Sequence, residues 1–203
     1  MKSFRWLIVL FLSLFLPSCA GGMTYSLYLR YQPEKDFPSL QKKIGSNLAI
    51  APFKDERSET LYIGLHTPLY GTSSHFKSDP FPLEKAINES LSQALSHYGV
   101  KTVSIANWDE SPESLKNMEA DSILMIHIKK FWTEGKASLF RTNAKTMIQL
   151  VIHLGVKKEG KVFTKNVEVE KEETLPRLTP EGMEGMINQI LNDIFDSFLS
   201  NPY

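Results

Sequence analysis

Apolar positions recur along this chain with two periods. From Asp121 to Trp132 they alternate: Leu124, Ile126 and Ile128 point one way, and Ile123, Met125, His127 and Lys129 the other. From Thr146 to Val156 the alternation returns, with Ile148, Leu150, Ile152, Leu154 and Val156 set against Gln149, Val151, His153 and Gly155. Between them the chain turns near Ala137-Ser138-Leu139-Phe140-Arg141, which predicts a hairpin. Glu159-Gly160 makes a tight turn into a third strand, Lys161 to Glu172, whose growing polarity places it at a sheet edge. The other period is helical. Leu83, Ala86, Ile87, Leu91, Ala94, Leu95 and Tyr98 form one stripe, with Asp79 as cap, Pro80 and Pro82 in the first turn and Gly99 as stop. A second stripe runs from Met183 through Met186, Ile187, Ile190, Leu191, Ile194 and Phe195 to Phe198, opened by Thr179-Pro180.

Shorter signals complete the order. Leu48 to Ala51 reads as a buried strand stopped by Pro52, and Lys101 to Ile105 as another. Ser111-Pro112-Glu113 starts a brief helix through Met118. Residues 54–80 are irregular, yet Leu61, Tyr62, Ile63, Leu65, Leu69, Tyr70 and Phe76 make them too apolar for disorder, so this stretch is expected to lie against the domain. The predicted fold class is α/β (α+β): one domain, a mixed sheet of about five strands, and two long helices on one face.

The N-terminus has a different character. Lys2 and Arg5 precede an apolar run from Trp6 to Leu16. Crossing a hydrocarbon core takes about 20 residues, so this run is too short to span and reads as a signal peptide. It ends in Leu16-Pro17-Ser18-Cys19, which resembles the lipobox of bacterial lipoproteins and holds the only cysteine. The resemblance implies lipidation of Cys19, cleavage before it and acylation of the freed amine. Each buried methylene contributes about 0.8 kcal/mol, so three acyl chains make a durable anchor. Ala20 stands where an Asp would signal inner-membrane retention in enterobacteria, which points to the periplasmic face of the outer membrane. The expected organisation is residues 1–18 signal, 19–44 lipid-anchored tether and 45–203 periplasmic domain.

Composition narrows the function classes. The chain has 23 basic and 23 acidic residues; losing Lys2 and Arg5 leaves 21 against 23, a formal charge of −2. Such a balance carries no electrostatic footprint for nucleic acid. With its single cysteine committed to lipid, the domain relies on packing instead of disulfides.

Several stretches resemble the YajG-type family of small bacterial envelope lipoproteins. They are Ile50-Ala51-Pro52-Phe53 leading to Asp55 and Arg57, the helix ending Tyr98-Gly99, and Ala120-Asp121 before the central strand. Gly160-Lys161 with Thr164-Lys165-Asn166 and the C-terminal helix extend the match. The resemblance implies a lipid-anchored periplasmic domain and carries no enzymatic activity with it.

Candidate chemistry is sparse. The histidines His66, His75, His97, His127 and His153 form no metal-binding signature, although His127 and His153 are expected to face each other across the hairpin. No Gly-x-Ser-x-Gly and no phosphate-cradling glycine loop occurs, and no cofactor or metal is implied. Asp55 and Arg57, just past the first strand, form a candidate ligand-binding pair. Leu139 and Phe140 at the hairpin tip, with Ile123, Met125, His127, Val151 and His153 along the face opposite the helices, form a candidate partner-binding strip. The alternative is that residues 54–79 fold over that face. The expected function is a non-enzymatic lipoprotein that binds an envelope protein partner in assembly or maintenance. An auxiliary lipoprotein of lipid or lipopolysaccharide transport is the second reading; it requires an apolar groove for acyl chains.

Overall fold

The structure, a computed structural model, describes residues 22–203. The signal segment and Cys19 lie outside the described residues. In chain order the elements are β1 (Thr24–Tyr28), α1 (Leu40–Ile44), β2 (Asn47–Ile50), β3 (Lys54–Asp55), β4 (Gly64–Thr67), β5 (Ser74–Asp79), α2 (Leu83–His97), β6 (Lys101–Ser104), β7 (Ser122–Ala137), β8 (Thr142–Val156), β9 (Lys161–Leu175) and α3 (Pro180–Ser200). Among the described residues the sheet has nine strands, where the sequence led us to expect about five.

The long alternating strand β7 is the spine. Along one edge it pairs antiparallel with β8 over its whole length, and β9 follows on β8 as an edge strand. Along its other edge β2, β3 and β4 pair in parallel one after another, at Ser122–Leu124, His127–Ile128 and Thr133–Lys136. A register shift between Ile128 and Lys130 lets the strand bend between these partners. Beyond β4 come β5 and β1, and beyond β2 comes β6. The sheet is mixed as expected: β1–β5, β2–β6 and the β2, β3 and β4 pairings with β7 are parallel, while β4–β5 and the β7–β8–β9 meander are antiparallel.

Both helical stripes pack into one core with the predicted face of the hairpin. Leu91, Leu95, Ile187, Ile190 and Phe195 join Leu124, Ile126, Ile128, Ile148, Leu150 and Ile152 in a continuous buried cluster. α3 is capped as read from the sequence, with Thr179 Oγ1 accepting from Gly182 N at 3.1 Å. For α2 the start differs: it begins at Leu83 with Pro82 at the cap position, because Asp79 is already the last residue of β5.

Two segments are more ordered than their sequences suggested. The described part of the expected tether belongs to the domain: Leu27, Leu29, Tyr31, Phe37, Leu40 and Ile44 are all buried in the main core. β1 is a full strand on β5, and the chain beyond it runs along α3, with Arg30 N and Gln32 N donating to Asn188 and Asn192 at 2.9 Å each. The Tyr31 hydroxyl donates to the buried Asp196 carboxylate at 2.8 Å. At the tether's far end Gly45, at φ +84°, lies so close to Asp121 that a Cβ would sit 2.1 Å from the aspartate's own. That approach lets Asp121 Oδ2 accept from Ser46 N at 2.8 Å and Asn47 N at 2.9 Å, aligning β2 beside β7. The irregular stretch 54–80 contains three strands; it lies against the domain by joining the sheet edge to edge.

What covers the sheet's second face is the crossover from β6 to β7. Trp108 and Leu115, in and before a short 3-10 helix (Glu113–Asn117), pack with Ala49, Ala51, Ile123 and Met125. Gly155 on β8 permits this: a Cβ there would meet Leu115 at 2.6 Å and Ile123 at 2.8 Å.

Candidate functional site

Asp55 and Arg57 do come together, as a structural clamp. Arg57 Nε and Nη2 donate to the two Asp55 oxygens at 2.8 and 2.7 Å. The remaining guanidinium hydrogens go to the carbonyls of Tyr62 (2.9 Å), Phe131 (3.2 Å) and Thr60 (3.1 Å). Every donor of a nearly inaccessible side chain is spent on the protein itself, which leaves nothing for a ligand. The pair instead fixes the chain between β3 and β4 against β7.

The partner-binding strip is divided by the structure. Ile123 and Met125 are buried beneath Trp108 and Leu115, so they present no surface. The covering segment is the 105–120 crossover, where the sequence alternative had residues 54–79. Val151 is half-buried. At the hairpin tip, however, Leu139 is 72% and Phe140 89% exposed. Ser138 N donates to Arg141 O at 2.7 Å and closes the turn. Leu69, in the β4–β5 turn, lines a shallow cleft with residues Ala137 to Arg141, and its neighbour Tyr70 is 83% exposed.

The described chain begins at this same end. Thr24 pairs with His75 at the start of β5, His75 N donates to Met23 O at 2.9 Å, and Gly22 lies against the carbonyl of Ser73. Parallel pairing of β4 with β7 carries the Leu69–Tyr70 turn to the level of the tip. Exposed Met23, Leu69, Tyr70, Leu139 and Phe140 therefore share one end of the molecule. Water gains nothing from five large apolar groups gathered there, which marks the end as a contact surface.

Midway along the hairpin lies a polar cluster. His127 and His153 come together as expected, ring centroids 4.9 Å apart, as diagonal neighbours on one face: the register sets His127 opposite Val151 and His153 opposite Met125. Two acids that sequence reasoning did not connect with them complete the group. Glu110, on the crossover, places Oε1 3.1 Å from His127 Nε2 and Oε2 3.6 Å from His153 Nε2. Glu56, just after β3, sits 2.8 Å from His127 Nδ1. Lys54 Nζ donates to Glu110 at 2.8 Å, and Lys129 is ion-paired with Glu56. The Lys54 hydrogen bond, followed by the charge of the histidines, holds the Glu110 carboxyl below its ordinary range, while burial pushes the His153 imidazole down. Glu110 has φ 60°, the only non-glycine residue with positive φ among the described residues. A conformation of that kind persists where surrounding contacts hold it.

No family model matches the chain, and no curated protein matches it. Solved structures do resemble it. Protein XCC0632 from Xanthomonas campestris, of the family model DUF330, aligns with a TM-score of 0.56 and 14% identity over 88% of this chain and 93% of that one. A putative neuraminyllactose-binding hemagglutinin homolog from Helicobacter pylori aligns at 0.46 and 13% identity, over 85% and 92% of the two chains. Lipoprotein GNA1162 from Neisseria meningitidis aligns at 0.42 and 15%, over 74% and 99%. At these identities the likeness is one of fold, and only the first of the three carries it.

Proposed function

We propose that this chain is a non-enzymatic envelope lipoprotein, held by acyl chains on Cys19 and by the apolar end of its domain, that presents its remaining surface to a protein partner. The observation that supports this reading is the meeting of anchor and patch. Only Ala20 and Gly21 stand between Cys19 and Gly22, a reach of at most roughly 11 Å, and Gly22 lies at the end that exposes Leu69, Tyr70, Leu139 and Phe140. A lipid on Cys19 therefore brings that end to the bilayer surface. Aromatic and aliphatic side chains suit the headgroup boundary there, where an interfacial patch sinks about 5–10 Å. No helix among the described residues is long and apolar enough to cross a membrane. The tip, first read from sequence as a protein contact, is better matched to the leaflet that holds the anchor.

The packed interior favours protein binding over acyl-chain carriage. The helical stripes and the sheet face form one continuous cluster of buried side chains. The cleft beside α2, about 470 Å³, is lined by Arg30, Gln32, Glu89, Gln93 and His97 among others, a poor environment for a hydrocarbon tail. By its lipobox, and with Ala20 after the cysteine, the protein is assigned to the periplasmic face of the outer membrane. Cys19→Ala tests the anchor: the variant should leave the outer-membrane fraction or accumulate with its signal uncleaved. Processing at the same bond with unchanged membrane retention would remove the basis of this reading.

A further inference from the structure

The Glu110–His127–His153 cluster has a donor arrangement that its ion pairs do not use up. Both imidazoles are held from behind. His127 Nδ1 is 2.8 Å from Glu56 Oε1, and His153 Nδ1 is 2.9 Å from Thr164 Oγ1. An oxygen partner at Nδ1 orients each ring so that Nε2 is the nitrogen turned toward the other members of the cluster. Both Nε2 atoms then converge on one carboxylate. Two imidazole Nε2 atoms and one carboxylate are thus gathered together.

The spacing fits a metal. One donor atom from each of Glu110, His127 and His153 can be chosen so that all lie within 4.8 Å of one another. Tetrahedral bonds of about 2.0–2.1 Å place neighbouring ligand atoms roughly 3.4 Å apart. Oε1 of Glu110 lies 3.1 Å from His127 Nε2 and Oε2 lies 3.6 Å from His153 Nε2, so each ring already has a carboxylate oxygen at about that separation. Nitrogen and oxygen donors of this kind suit a borderline divalent cation, and a set of two histidines and one glutamate leaves a fourth position open. Met125 Sδ, 3.3 Å from His127 Nε2, adds a soft neighbour. The Lys54 ammonium, which an incoming ion has to displace from Glu110, belongs to a side chain that is 47% exposed.

We propose that Glu110, His127 and His153 bind a zinc-class divalent cation, which ties the β6–β7 crossover to the β7–β8 hairpin. Glu110 is the crossover's only contribution to the set, so the metal acts as a staple between two parts of the fold. Glu56 and Thr164 are positioning residues that act through the rings. The site is independent of the lipid anchor.

The test uses the full chain without a histidine tag, purified in detergent and stripped with a chelator. Co²⁺ titration should give one equivalent of tetrahedral d–d absorbance, displaced by Zn²⁺, and Zn²⁺ should raise the melting temperature as ligands of the native state do. Glu110→Gln and His153→Gln should each abolish the cobalt band. Glu56→Gln should weaken zinc by about 10–100-fold, the range for an outer carboxylate. Lys54→Met removes the competing ammonium and should tighten zinc binding; a cluster held only by protons and ion pairs predicts no zinc response in that variant. Absence of the cobalt band in the parent chain overturns the proposal even if the glutamine variants fail to fold. So does zinc binding that survives both of them.

Discussion

Replacing Tyr31 by Phe removes one oxygen and tests whether the N-terminal segment is part of the domain. The Tyr31 ring is 4% exposed and packs on Phe195 at a centroid distance of 5.3 Å, contacts that Phe retains. The hydroxyl donates at 2.8 Å to Asp196, which is 3% exposed and whose carboxylate otherwise accepts only from Glu34 N at 3.2 Å among the described residues. Burial, with that carboxylate close by, pushes the phenol far above its ordinary range, so it stays a donor at any working pH. A hydrogen bond to a charged group contributes about 1.5–3 kcal/mol, and here the carboxylate is left buried with one donor fewer. With a urea slope of about 2 kcal/mol per molar, a loss near 2 kcal/mol lowers the unfolding midpoint by about 1 M. Far-ultraviolet circular dichroism across a urea series reads it. In an Asp196→Asn background the same change should cost less, giving a coupling of about 0.5–3 kcal/mol. A loss within ~0.5 kcal/mol, the scatter of surface substitutions, would mean that residues 23–37 hang free as a tether, and the reassigned domain boundary would be wrong.

Ile190, fully buried in the α3 stripe, should lose about 2–5 kcal/mol on replacement by Ala in the same denaturation assay; less than about 1 kcal/mol would make α3 a peripheral element. The Asp121 latch gives a pH dependence: the amide of Asn47, then that of Ser46, holds its carboxyl below the ordinary range. A depressed carboxyl contributes stability above its unfolded value of about 3.9 and loses it as pH falls through the lower folded value. The stability gap between the parent chain and Asp121→Asn should therefore be constant near neutrality and close below about pH 4; a gap that widens on acidification contradicts the latch.

The hairpin and both long helices were legible because each buries an uninterrupted stripe. Leu124–Ile126–Ile128 and Ile190–Leu191–Ile194 repeat at the period of their element, and the structure buries those residues. β5 was not legible because its inward face is Ser74, Phe76 and Ser78, so only one of three buried residues is apolar. The tether was misread for a related reason. Pro33 and Pro38 break the pattern locally, while Leu27, Leu29 and Tyr31 keep the strand alternation beneath α3. Of the candidate site, the meeting of His127 and His153 followed from their sharing one face of the hairpin. Glu110 could not be found that way: it arrives 17 residues before His127 on a crossover with no period, and only the chain's path brings it there. The burial of Ile123 and Met125 has the same cause. An apolar strip on the sheet predicts a cover without saying which segment supplies it.

The meeting of anchor and apolar end at one leaflet is tested most directly by a label at the tip. Cys19 is the only cysteine and is consumed by lipid in this account, so Phe140→Cys supplies a single free thiol for an environment-sensitive fluorophore. Glu159→Cys, in the exposed turn at the opposite end of β8, is the reference. In vesicles carrying the lipidated protein, the label at position 140 should shift to the blue and be quenched by nitroxides placed in the lipid headgroup region, while the label at 159 remains water-like. Equal, water-like emission and no lipid quenching at position 140 would contradict the account and leave the tip as a surface for a protein.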